Sequence, residues 1–135
     1  MTFNEFDVNL RFGIIGAFIG ALIGRLDGLL IALIIFMVID YLTGVIAAII
    51  KKELNSAIGY KGLLKKAAML LVVILGNTID TKVLQSGSVA RTAVILFYLS
   101  NETISILENY NEMGLPFPEK LKKILEKLNE TDIME

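Results

Sequence analysis

The sequence predicts an all-α integral membrane helical bundle with three to four transmembrane helices, four preferred, and a C-terminal amphipathic helix. Three observations predict it. Residues 29–50 form an apolar run with a single carboxylate, Asp40, near its midpoint; as a helix it would extend roughly 33 Å, enough to cross a bilayer's hydrocarbon core. The chain is 55% hydrophobic and only 20% charged, too little polar surface for a soluble monomer of this size. Towards the C-terminus, Leu121, Ile124, Leu125 and Leu128 recur at helical spacing among Lys and Glu residues, the pattern of an amphipathic helix.

The same composition narrows function. With no Cys and no His, thiol chemistry is excluded and the commonest metal ligand and acid/base group is missing. No catalytic, cofactor-binding or metal site is expected, and the protein is not expected to be an enzyme. A formal charge of −1 argues against nucleic acid as a partner, because such binding needs a basic face.

Residues 1–11 form an N-terminal segment with Asn4, Glu5 and Asp7 ahead of the first apolar run and only Arg11 as a positive charge. That flank is wrong for a cleavable signal peptide, so the following segment is kept as structure. The membrane domain covers 12–110, with spans at about 12–28, 29–50, 63–80 and 89–109. The first apolar stretch, 12–24, is only 13 residues long, so it either spans thinly or lies re-entrant. It carries Gly16, Gly20 and Gly24 at GxxxG spacing, which lets backbones approach closely. Packing within the first hairpin is favoured slightly over contact between subunits. The turn 25–28 leads into the second span, in which Gly44 lies on the face of Asp40 and opens it to another helix.

Next comes a basic stretch, 51–66, read as a loop. It holds Lys51, Lys52, Lys61, Lys65 and Lys66 against one acid, Glu53, and should face the cytoplasm. Lys120, Lys122, Lys123 and Lys127 put the C-terminus there too. Four spans would then place both termini in the cytoplasm; three would leave the N-terminus outside. The third span ends at Asn77 and Asp80. The fourth carries Arg91 and Glu102, which share a helical face with Tyr98, Ser105 and Asn109. Beyond it, 111–135 is a Pro-containing break followed by the cytoplasmic amphipathic tail, whose apolar stripe needs membrane surface or a neighbouring subunit as partner.

Hydrocarbon tolerates Asp40, Asn77, Asp80, Arg91, Asn101 and Glu102 poorly. A charge at bilayer centre costs about 2.5 to 3.5 kcal/mol on insertion scales, so such residues face a partner, a cavity or water. With Tyr98 and Ser105 they are the candidates for a pore wall or a polar packing seam. The residues alone leave two readings open. Arg91 and Glu102 pair with Asp40, Asp80 or other copies to lock the helices, or they line a wall that meets water after assembly.

Two stretches, read together, resemble a known family. The first, 40–66, carries Asp40, Gly44 and Ala47, then Lys52, Asn55, Ser56, Gly59, Gly62 and the Lys65-Lys66 pair. The second, 101–123, carries Glu102, Ser105, Asn109, Gly114, Pro116, Pro118 and Lys120-Leu-Lys122. They are similar to the toxin secretion/phage lysis holins of Gram-positive bacteria and their phages, the group that includes the clostridial large-toxin export holin. The resemblance implies a homo-oligomer in the bacterial cytoplasmic (inner) membrane of the host cell that opens lesions at a set time. Those lesions pass a phage endolysin or a secreted toxin. The alternative from the residues is a small oligomeric transporter or ion channel subunit using Asp40 or Glu102 as a proton or cation site; a third reading is a purely structural membrane partner.

Overall fold

Capping side chains set the helix starts. Asp27 accepts the backbone N–H of Leu30 at 3.0 Å and opens α2, Gly28–Ile50; Asn55 accepts that of Ala57 at 2.9 Å and opens α3, Ser56–Thr78. Both satisfy an N–H that has no partner within the helix. The other helices of this computed structural model are α1, Glu5–Ile23, α4, Val89–Met113, and α5, Glu119–Met134. The backbone is described over residues 4–134 and side chains over 4–128.

Helix ends follow the same logic. Lys52 at the end of α2 and Gly114 at the end of α4 take left-handed conformations, φ 57° and 72°. The two amides that follow each last turn fold back: Lys52 and Glu53 donate to Ile49 and Ala48, Gly114 and Leu115 to Asn111 and Tyr110. This Schellman closure satisfies carbonyls otherwise left over. α3 does not stop at Thr78 but widens into a π-helical turn, Ile79–Leu84, ended by Gln85 at φ 54°.

The bundle is all-α, and among the described residues three helical stretches are long and apolar enough to cross a membrane: Glu5–Ile23, Gly28–Ile50 and Ser56–Leu84. α4, preferred as a fourth span, falls outside that set because its polar residues lower its hydropathy. They are turned inward: Arg91, Ser100, Glu102 and Thr103 are buried, while Val89, Phe97 and Ile104 face out. α2 and α4 run parallel. Asp27 meets Arg91 at one end and Lys51 meets Glu112 at the other. α3 runs antiparallel to both, bringing Lys66 to Asp40 and Glu102. Leu30, Leu33 and Met37 of α2, Val73 of α3, and Ile95 and Leu99 of α4 form the apolar core.

Three elements depart from expectation. The basic stretch 51–66 is a loop only over 51–55, because Asn55 starts α3 well before its apolar part. α1 begins at Glu5, not at 12, and is a continuous 19-residue helix, long and apolar enough to cross a membrane. And α1 does not pack as a hairpin on α2: among the described residues its backbone lies beside α3, and Arg91 of α4 reaches its last carbonyl. It has no buried residue, and a Cβ built on Gly16 or Gly20 would meet nothing within 4 Å. Among the described residues, Gly16 and Gly20 therefore do not supply the expected hairpin packing.

Candidate functional site

The polar residues of the spans gather in two clusters on either side of the apolar core. The outer cluster sits where the α1–α2 turn meets the start of α4. Asp80, carried over by the π-helical turn, accepts the backbone N–H groups of Ala90 and Arg91 at 2.9 and 2.8 Å. It thereby takes up two N–H groups left over at the start of α4 and puts a carboxylate at the positive end of the helix dipole. The side chain of Arg91 then reaches the α1–α2 turn. Its Nε donates to the carbonyl of Ile23 at 2.9 Å, one terminal nitrogen pairs with Asp27 at 2.7 Å, and the other donates to the carbonyl of Arg25. Asn77 donates to the carbonyl of Leu22 at 2.9 Å.

These bonds satisfy the carbonyls at the C-terminus of α1, which prefers a cation. Close approach is built in. Gly24, at φ 90°, lies so near that a Cβ would be 2.7 Å from Oδ1 of Asn77, and a Cβ on Gly76 would be 3.1 to 3.2 Å from the backbone of Ala90 and Arg91. The Arg91 guanidinium, with help from the Leu30 amide, holds the Asp27 carboxyl below the usual carboxylate range.

The inner cluster lies between α2, α3 and α4. Lys66 Nζ is 2.6 Å from Asp40 Oδ2 and 2.6 Å from Glu102 Oε2. Asn109 donates to Asp40 at both its carbonyl, 3.0 Å, and Oδ1, 2.9 Å, and to the Thr43 hydroxyl at 2.9 Å. One ammonium is thus shared by two carboxylates. Above this floor a cavity of about 480 Å³ extends to Lys51, Glu53, Leu54 and Asn55 of the 51–55 loop.

Of the residues singled out in the sequence, Asp40 and Glu102 meet through Lys66, and Arg91, Asn77, Asp80 and Gly24 meet in the outer cluster. Ser105, Asn101, Gly44, Asn55, Gly59, Gly62 and Lys65 line the cavity. Asn101 is exposed. Tyr98 joins neither cluster; it packs on the apolar core with its ring 5.4 Å from that of Phe97. Gly44 lies under the Asn109 amide, and Gly59 and Gly62 lie under the Tyr41 ring, whose hydroxyl would be 3.3 Å from a Cβ on Gly59. Lys52, Asn55, Ser56 and Gly114 are helix-end positions, and Pro116 and Pro118 occupy the break before α5.

Two partners are not evident from the sequence. Lys66 reads as a loop cation, yet it shares a helical face with Met69, Val73 and Asn77, at offsets of 3, 7 and 11 residues. Asp27 reads as a turn residue, although an Asp directly before an apolar run is a helix-start signal.

The model of the bacteriophage holin family matches residues 17–130, which include α2, α3, α4 and both clusters. The chain belongs to the bacteriophage holin family. Holin-family proteins are membrane proteins without enzymatic activity. This holin-family chain is 45% identical over 121 residues to an uncharacterized protein of Listeria monocytogenes, covering 88% of this chain and 86% of that one. It is 47% identical over 91 residues to an uncharacterized 14.9 kDa protein of Clostridium perfringens, 67% and 68% of the two chains. A probable holin of Bacillus phage phi105 is 42% identical over 79 residues, 58% of each chain. No solved structure matches.

Proposed function

We propose that the chain is a holin that assembles as a homo-oligomer in the bacterial cytoplasmic membrane and opens lesions there, releasing an endolysin or exporting a toxin. The family match carries this reading, and α1 supports it: an apolar helix with no buried residue has most of its surface available for lipid and for other copies. α4 crosses the bilayer beside α2, since the two run in parallel contact from the Asp27–Arg91 pair to the Lys51–Glu112 pair. Its buried polar face makes that tolerable. The end bearing Lys51, Lys52, Lys61 and Lys65 faces the cytoplasm under the positive-inside rule. The Lys51–Glu112 pair puts the end of α4 at that side, so α5 lies on the cytoplasmic surface. Opening exchanges contacts within the subunit for contacts between subunits and turns the polar face of α4 towards water.

Inducible expression in a bacterium tests this, with viability, membrane potential and uptake of an impermeant dye followed by the minute, with and without a cytoplasmic endolysin. A silent interval, then abrupt depolarisation, with lysis only when endolysin is present, is the expected result. Continued growth with selective, saturable flux would overturn it in favour of a transporter.

A further inference from the structure

The apolar stripe of α5 is left uncovered by its own subunit. Among the described residues the backbone of α5 lies beside α4, yet Leu121, Ile124 and Leu128 remain 44%, 60% and 41% exposed. The start of the helix is nonetheless fixed. The ring of Phe117 packs edge-on against that of Tyr110 at 5.2 Å, and the Lys122 amide donates to the Pro118 carbonyl at 2.9 Å. The break between α4 and α5 covers only 114–118, a connection that reaches at most roughly 18 Å. The end of α4 lies level with the end of α2, where Lys51 meets Glu112 at 3.7 Å. With α2 and α4 both crossing the bilayer, those two ends mark one membrane face, and α5 is tethered beside it.

Charge around the stripe specifies what covers it. At 3.6 residues per turn, Lys122 flanks Leu121, Ile124, Leu125 and Leu128 on one side and Lys120 and Lys127 flank them on the other, whereas Glu119 and Glu126 fall on the far side with Lys123. Over 119–128 both flanks thus carry cations and neither carries an acid. A second copy of α5 laid on this stripe would bring lysine against lysine along both edges, the charge pattern that opposes helix pairing. A lipid surface has the opposite need. Flanking lysines lay their stems along the apolar face and lift their ammonium groups to the headgroups, and the anionic lipids of the cytoplasmic leaflet attract them there. We infer that α5 is a docking helix for an anionic lipid surface. It lies in the plane of the bilayer with its leucines and Ile124 at the acyl boundary and Lys120, Lys122 and Lys127 among the phosphates. This docking rests on α2 and α4 crossing the bilayer as proposed above, and on no step of lesion opening.

The test places the full chain in lipid discs, one chain per disc, made of phosphatidylcholine alone or mixed in equal parts with phosphatidylglycerol. Because the chain has no cysteine, Leu125→Cys and Glu126→Cys each carry a single fluorophore, one on the stripe and one on the far side. In the mixed discs, nitroxide-bearing lipid should quench the probe at 125 while aqueous acrylamide does not, and the probe at 126 should show the reverse. In phosphatidylcholine alone the ratio of docked to free α5 should fall about tenfold or more. Lys120→Gln combined with Lys122→Gln, which removes one cation from each flank, should lower it by a similar factor in the mixed discs, since a lysine at an anionic surface is worth about fivefold. Acrylamide quenching at 125 in both lipids, equal docking in both, or unchanged docking in the glutamine variant would overturn the assignment. So would shelter from acrylamide that arises without lipid quenching and only at several chains per disc, which would give the stripe to a second copy. Docking is read without lysis, so its failure is distinguishable from a failure of the lysis experiment.

Discussion

Lys66 is shared by two buried carboxylates, so the three side chains of the inner triad are not interchangeable. Removing one carboxylate leaves a matched pair, whereas removing the ammonium leaves two anions side by side. Breaking a buried ion pair from one side costs about 3 to 5 kcal/mol. Lys66→Met should therefore lower the thermal midpoint in detergent far more than Asp40→Asn or Glu102→Gln, both of which leave the triad neutral. A smaller loss for Lys66→Met than for the carboxylate variants would reverse the assignment of which charge holds the site. The glycines divide just as sharply. Gly76→Ala pushes a methyl against the backbone of Ala90 and Arg91 and should cost about 1 to 3 kcal/mol by overpacking. Gly16→Ala meets open space, and since alanine favours helix over glycine it should leave the isolated subunit's thermal midpoint unchanged or slightly raised.

Between elements, the outer cluster acts as a latch holding the α1–α2 turn to α3 and α4. Arg91 reaches Ile23, Arg25 and Asp27 with a planar fork that a lysine cannot reproduce. Arg91→Lys should keep the charge yet speed amide hydrogen exchange in the 22–30 stretch, with the 95–106 core less affected; uniform change would mean that the latch is not a separate element. The Asp27 carboxyl is held down by its hydrogen bond to Arg91, with the Leu30 amide adding to it. A lowered folded value means that its contribution is complete above the unfolded carboxylate pKa, about 3.9, and is lost as pH falls through the folded value. Exchange in the turn should thus be insensitive to Asp27 protonation near neutral pH and accelerate in strong acid, and Asp27→Asn should remove that acid step. The polar face of α4 was legible because Arg91, Glu102 and Asn109 recur at helical spacing. Their partners were not, because hydropathy registers where α3 becomes apolar and not where Asn55 starts it. With its first turns read as loop, Lys66 falls where loop and third span overlap, and its charge counts towards sidedness rather than towards a partner. The same blindness hid the start of α1, where Glu5 and Asp7 sit favourably at the positive end of the helix dipole while lowering the segment's hydropathy.

At the scale of the whole molecule, the contrast between α1 and the other helices bears on how copies would meet in the proposed oligomer. α2, α3 and α4 spend their polar groups on one another. Among the described residues α1 is tied to them at its C-terminal end, by Asn77 of α3 and Arg91 of α4, and its backbone lies beside α3. Phe12, Ile15 and Phe18 are all more than half exposed, and the open space over Gly16 and Gly20 would admit a second backbone closely. In the proposed oligomer, assembly through α1 would leave both polar clusters intact at first, so early contacts between copies would not require breaking the Lys66 triad. The absence of cysteine from the chain makes this directly testable. Single cysteines at Gly16 or Gly20 should give disulfide-linked dimers in oxidised membranes before depolarisation begins. A cysteine at Ile95, buried in the core, should not. If the α1 cysteines react with a lipid-soluble maleimide yet never cross-link, α1 faces lipid alone and the copies meet through α2, α3 or α4.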